Sequence, residues 1–104
     1  AFQQKLTKSW SVGTAGNWLM LTSFRVANSS VNRNVEGRVQ VDDTTTSAQP
    51  LRQPQDTTDY MNAGSMDVRN LTAASHFVDV DYRTSNAVGT AKIKYAHIVA
   101  VPLQ

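Results

Sequence analysis

Apolar residues recur at every second position through most of this chain, and helical spacing recurs nowhere in it. A pleated strand sends successive side chains to opposite faces, so this period predicts strands. "KLTKSWSV" puts Leu6, Trp10 and Val12 on one side. "NWLMLTSFRVAN" alternates Trp18, Met20, Phe24 and Val26 against Leu19, Leu21 and Ala27. Its first half is apolar on both faces, which places it in the middle of a sheet. "NVEGRVQVDD" sends Val35, Val39 and Val41 one way with Gly37, and Glu36, Arg38 and Gln40 towards water. "YMNAGSMDV" is a weaker strand carrying Tyr60, Met66 and Val68. "HFVDVDYR" turns Val78, Val80 and Tyr82 inward and Asp79, Asp81 and Arg83 outward. A closing strand runs from about Thr90 to Val101.

The segments between them carry turn chemistry. "GTAGN" supplies glycines, "SSVNRN" reads as a loop, "NLTAAS" as a turn, and "TSNAVG" as the loop of a hairpin. "TTTSAQPLRQPQDTTD" allows at most a short edge strand, because Pro50 and Pro54 cannot donate to a ladder. The resulting fold class is all-β: an antiparallel β-sandwich, jelly-roll or Greek-key-like, of about seven or eight strands.

A chain of 104 residues holds one core. Residues 1–9 read as an N-terminal arm leading into the first strand, and 10–104 as a single sandwich domain. Lys and Arg are scattered and exceed Asp and Glu by only two, so neither a nucleic-acid partner nor a membrane is expected. There are no cysteines, which excludes disulfides, thiolate metal sites and cysteine nucleophiles, and leans towards an intracellular origin. No signal-peptide pattern opens the chain. An Ala1 start is what removal of an initiator Met leaves, and also what trimming leaves.

Residues with chemical potential mostly have structural readings. Asp79 and Asp81 form a D-x-D pair expected on a solvated outer face, since a calcium site needs more oxygen ligands. Asp42 and Asp43 are expected to begin a turn. The two histidines, His76 and His97, lack a nucleophile elbow or a third metal ligand. His97 is expected in a packed or subunit-facing position. No catalytic residue, metal or cofactor is expected, and the chain is read as no enzyme. Trp10 and Trp18 fall in phase with apolar neighbours and are expected in the core. "NSS" at Asn28 and "NLT" at Asn70 match the glycosylation pattern as chance occurrences in a Ser- and Asn-rich chain.

The end of the chain breaks the rule of one wet face. In "YAHIVAVPLQ" both sides of the strand are apolar apart from His97. A small sandwich has one core face per sheet, so this outer strip needs a cover. Either copies of the chain meet there or an internal segment folds over it.

The ordered series "GNWLMLTSFRVANSS", "VEGRVQVDD", "QPQDTTDY" and "LTAASHFVDVDYRTSNAVGTAKIKYAHIVAVPL" resembles small jelly-roll β-sandwich domains of bacteriophage virion structural proteins. These include head decoration (cement) proteins, head fibres and tail modules. The likeness covers about Trp10 to Leu103, with Ala74 standing where such domains often have Gly. The resemblance implies no enzymatic activity and frequent trimerisation. It implies a capsid decoration protein that binds the outer surface of the assembled capsid as a homotrimer and stabilises it by mass action. Its partner would be the major capsid protein of a phage head, and its location the virion surface after synthesis in the host cytoplasm. Phe2, Gln3, Gln4 and Lys5 are the expected capsid contacts, and Tyr95, His97, Val99 and Val101 the expected subunit interface. The alternative is a receptor- or carbohydrate-binding module of a tail fibre or tail, with Tyr60 or a tryptophan as the sugar platform.

Overall fold

A computed structural model describes residues 2–30, 34–53, 60–84 and 89–103. The sequence readings for Ala1, for 31–33, for 54–59 (Pro54 among them) and for 85–88 lie outside the described residues. The described residues form eight strands and no helix: β1 (Gln3–Ser11), β2 (Gly16–Asn28), β3 (Val35–Val41), β4 (Thr45–Ala48), β5 (Leu51–Arg52), β6 (Met61–Leu71), β7 (Ser75–Thr84) and β8 (Ala91–Pro102).

Two antiparallel sheets stack face to face. One has the order β1-β7-β3-β4 with β5 also on β3, and the other has the order β6-β2-β8. Only β3, β4 and β5 follow one another within a sheet, and every other connection crosses between sheets. That is a jelly-roll-like path. The "TSNAVG" segment therefore does not close a hairpin, because β7 and β8 belong to different sheets. Turn residues report a reversal of the chain; they do not report which strand the chain pairs with next.

The core is valine-rich, as half-buried pleats favour. Val26, Val35, Val39, Val78 and Val80 are fully buried with Phe24 and Met20 between the sheets. Burying a side chain of Phe24's size stabilises the fold by about 1.5–3 kcal/mol. Its ring fits because Gly37 lies opposite: a Cβ there would come within 2.6 Å of the ring. Trp10 and Trp18, from different sheets, pack with ring centroids 5.7 Å apart and lean on the core, as the sequence predicts. β2 is the central strand of its sheet, also as expected.

The β3–β4 reversal takes three residues, Asp42 to Thr44, with Val41 paired to Thr45. Asp42 and Asp43 both have φ 55°, and the Thr44 amide donates to the Val41 carbonyl at 3.1 Å. Two consecutive left-handed residues make a type I′ turn, whose twist matches the flanking strands.

Two expectations are corrected by this architecture. The N-terminal arm is the first stretch of β1: Gln3 pairs with Tyr82 and Gln4 with Asp81. Phe2 is engaged as well, its ring centroid lying 4.0 Å from Cζ of Arg38 and 4.1 Å from Cζ of Arg83. The strand read from Lys5 onward thus begins at Gln3, because ladder pairing of polar residues rests on the partner's backbone, which their own side chains do not announce. Asp79 and Asp81 do point to the outer face, yet both are buried. They sit on β7, between β1 and β3, where Arg38 bonds Asp81 at 3.0 Å and the long neighbouring side chains exclude water.

Candidate functional site

The outer face of β6-β2-β8 is apolar along half its length. Directly paired residues of an antiparallel sheet share a face. Val68, Leu19 and Val101 therefore make one row, and Met66, Leu21 and Val99 the next. Met66 is 73% exposed, Val68 52% and Val99 48%. The strip suspected from the final strand is thus three strands wide. Inside, β8 contributes Ala96, Ile98 and Ala100 to the core.

Beyond His97 the β8 strand bulges. Ser23 pairs with His97, but Arg25 pairs with Lys94, so Tyr95 and Ala96 together oppose Phe24. Tyr95 takes up the extra residue with φ 55°. Bulges of this geometry ordinarily place glycine at that position, and a left-handed backbone costs a bulky L-residue about 1–2 kcal/mol. Strain of this kind concentrates at functional sites. The bulge turns the Tyr95 ring into solvent, where it is 62% exposed.

Cations frame that ring. Nζ of Lys94 lies 5.1 Å from the Tyr95 centroid and 3.9 Å from that of Tyr60, and Cζ of Arg25 lies 5.6 Å from Tyr95. Among the described residues no Asp or Glu lies on this face. Glu36, Asp79 and Asp81 belong to the other sheet, Asp42 and Asp43 to its turn, and Asp67 pairs with buried Met20 on the inner side of β6.

The remaining polar clusters are structural. Both ring nitrogens of His76 are engaged, Nδ1 with Asp42 at 2.7 Å and Nε2 with the Thr72 carbonyl at 2.9 Å, so neither is open to take a substrate proton. The Asp42 hydrogen bond, then the Thr72 carbonyl, raise the His76 pKa above its ordinary value against the opposing effect of burial. Asp43 is also raised, first by a hydrogen bond shared with the Asp79 carboxyl, then by desolvation and the charges of Asp79 and Asp81. No three His, Asp or Glu side chains among the described residues converge as a metal site requires. No helix among them is long and apolar enough to cross a membrane. Asn28 is buried with its amide donating to the Asn34 carbonyl and Thr84, so its "NSS" match is not an accessible acceptor.

The structure brings Tyr95, His97, Val99 and Val101 to one outer face, as their alternation predicts. It does not bring Phe2, Gln3, Gln4 and Lys5 to that face; they belong to the opposite sheet's outer edge. Sequence reasoning missed Arg25 and Lys94 as neighbours of Tyr95. The available signal was the odd spacing of Ile93 and Ile98, both core-facing, which requires a bulge between them.

No family model matches the chain, and no curated protein matches it in sequence. Among solved structures it is similar to the C-terminal domain of EclA, a sugar-binding protein, at 12% identity and a TM-score of 0.56 over 92% of this chain. The chain spans 66% of that protein's length. It is also similar to a family 35 carbohydrate-binding module from an environmental isolate, at 13% identity and a TM-score of 0.45 over 94% of this chain and 70% of that one. The likeness is one of fold: a β-sandwich.

Proposed function

We propose that this domain is a non-catalytic carbohydrate-binding module whose ligand stacks on Tyr95. The observation that carries the reading is the conformation of Tyr95: an exposed ring held out from a bulge at a backbone angle that disfavours any bulky residue. The apolar C–H face of a pyranose suits the negative face of an aromatic ring. Flanking cations and amides supply the few oriented polar contacts that give such a site its specificity. The sugar-binding description of the EclA domain supports this reading. Trp10 and Trp18 are not part of it, because they pack on the core.

The test is a panel of soluble polysaccharides in affinity electrophoresis, with Tyr95→Ala beside the unaltered chain. Retardation by at least one glycan, lost in Tyr95→Ala at unchanged Tm, is the expected result. Retardation that survives the substitution overturns the assignment of the site.

A second reading is favoured by the two aliphatic rows. An exposed apolar patch of this extent ordinarily marks a macromolecular contact. In that reading the domain is a virion surface protein whose copies meet through Leu21, Met66, Val68, Val99 and Val101, each of them exposed. Its test is the native mass by light scattering. A trimer that Val99→Asp dissociates supports it, and a monomer over the working concentration range removes it.

A further inference from the structure

Lys94 and Arg25 lie over the exposed Tyr95 ring, and they face no described carboxylate. Resting on the carbohydrate reading above, we infer that the ligand is an acidic saccharide, one that presents a carboxylate or sulfate to Lys94 and Arg25.

The geometry and charge carry this together. A saccharide packed against the Tyr95 ring shares the space over that ring with whatever cations lie there. Lys94 and Arg25 lie over that ring, 5.1 and 5.6 Å from its centroid, so a saccharide that reaches the ring meets both cations. Lys94 is steadied there by Tyr60, whose ring lies 3.9 Å from its Nζ, so less side-chain freedom remains to be lost on binding. A neutral sugar would have to be stacked beside two cations with nothing to offset their partial desolvation. An anionic substituent offsets it and gains charge-assisted hydrogen bonds, which are stronger than neutral ones. Arg presents a fork suited to carboxylate or sulfate oxygens, and Lys a point charge. His97, exposed on the neighbouring outward position of β8, adds no negative charge to the site. The described carboxylates that could compete are committed elsewhere: Asp81 to Arg38, Glu36 to Arg83, Asp67 to Arg69 and Asp42 to His76.

The experiment is titration calorimetry of the full chain with three oligosaccharide sets of matched length. These are galacturonate oligomers for a carboxylate, sulfated galactose oligomers for a sulfate, and unsubstituted galactose oligomers as the neutral probe. One acidic set is expected to bind at least about tenfold tighter than the neutral set. The preference should shrink as salt screens it. Lys94→Gln and Arg25→Gln should bring the acidic set down to neutral affinity without changing the Tm, and Tyr95→Ala should remove binding of every set. Whichever acidic set binds identifies the anion. Equal binding of acidic and neutral sets, abolished by Tyr95→Ala, overturns the acidic assignment and leaves the carbohydrate reading standing. Acidic binding that survives Tyr95→Ala is general charge attraction and overturns the inference. Binding of none of the sets by folded protein also overturns it, and the polysaccharide panel then decides the broader reading.

Discussion

Nδ1 of His76 lies 2.7 Å from Oδ2 of Asp42, while its Nε2 lies 2.9 Å from the carbonyl oxygen of Thr72. Both partners accept, so only the doubly protonated ring satisfies both contacts. The hydrogen bond to Asp42, followed by that to Thr72, therefore raises the pKa of His76. A raised folded-state value contributes stability that is complete below the unfolded value of about 6.5 and is lost as pH rises through the folded value. The Tm should accordingly fall across a series from about pH 5.5 to about pH 8.5. Asp42→Asn, which tolerates the left-handed backbone, should flatten that fall; a slope unchanged by the substitution would refute the assignment.

Asp43 and Asp79 share a hydrogen bond that holds Asp43 above its ordinary value of 3.8. Asp79 is buried, and its Oδ1 has no hydrogen-bond partner among the described residues. As pH rises past the ordinary carboxyl value, ionising Asp43 costs stability, the direction a raised carboxyl requires. Asp43→Asn supplies amide donors to Asp79 and keeps a residue suited to φ 55°. It should raise the Tm at pH 7 and leave it unchanged near pH 3, as read by calorimetry at both values.

Gly37 faces Phe24 across the sandwich, with the ring 2.6 Å from where a Cβ would stand. Gly37→Ala should destabilise the fold by about 1–3 kcal/mol through displacement of the ring. Urea unfolding measures it. A change below about 0.5 kcal/mol would mean that the core yields at this point.

Tyr95 trades stability for exposure. Tyr95→Asn places a residue tolerant of φ 55° in the bulge and should stabilise the chain by about 1 kcal/mol while removing glycan binding. Tyr95→Phe should keep the binding. A Tyr95→Asn variant that melts lower than the parent would show the ring to be a structural prop.

The alternation of apolar residues was enough to define the strands. Val35, Val39, Val41, Val78 and Val80 were identifiable as core, and Tyr95, His97, Val99 and Val101 as one outward row, because pleat geometry assigns faces without reference to a partner. Apolar phase likewise placed Trp10 and Trp18.

Pairing was decided only in three dimensions. Strand partners are chosen by contacts far apart in the chain, so "TSNAVG" gave no warning that β7 and β8 separate into different sheets. Apolar phase marks β1 only from Lys5 onward, and its first paired residues, Gln3 and Gln4, carry no such mark because their pairing with β7 rests on backbone hydrogen bonds, which every sequence can make. Asp79 and Asp81 alternate like solvated residues, and only the flanking strands bury them. The candidate site follows the same division. Tyr95 was legible as an outward residue, whereas its left-handed conformation, and the approach of Arg25, Lys94 and Tyr60, arise from a bulge that exists only once β8 is registered against β2. Local pattern determines which way a side chain faces, and tertiary register determines what it faces.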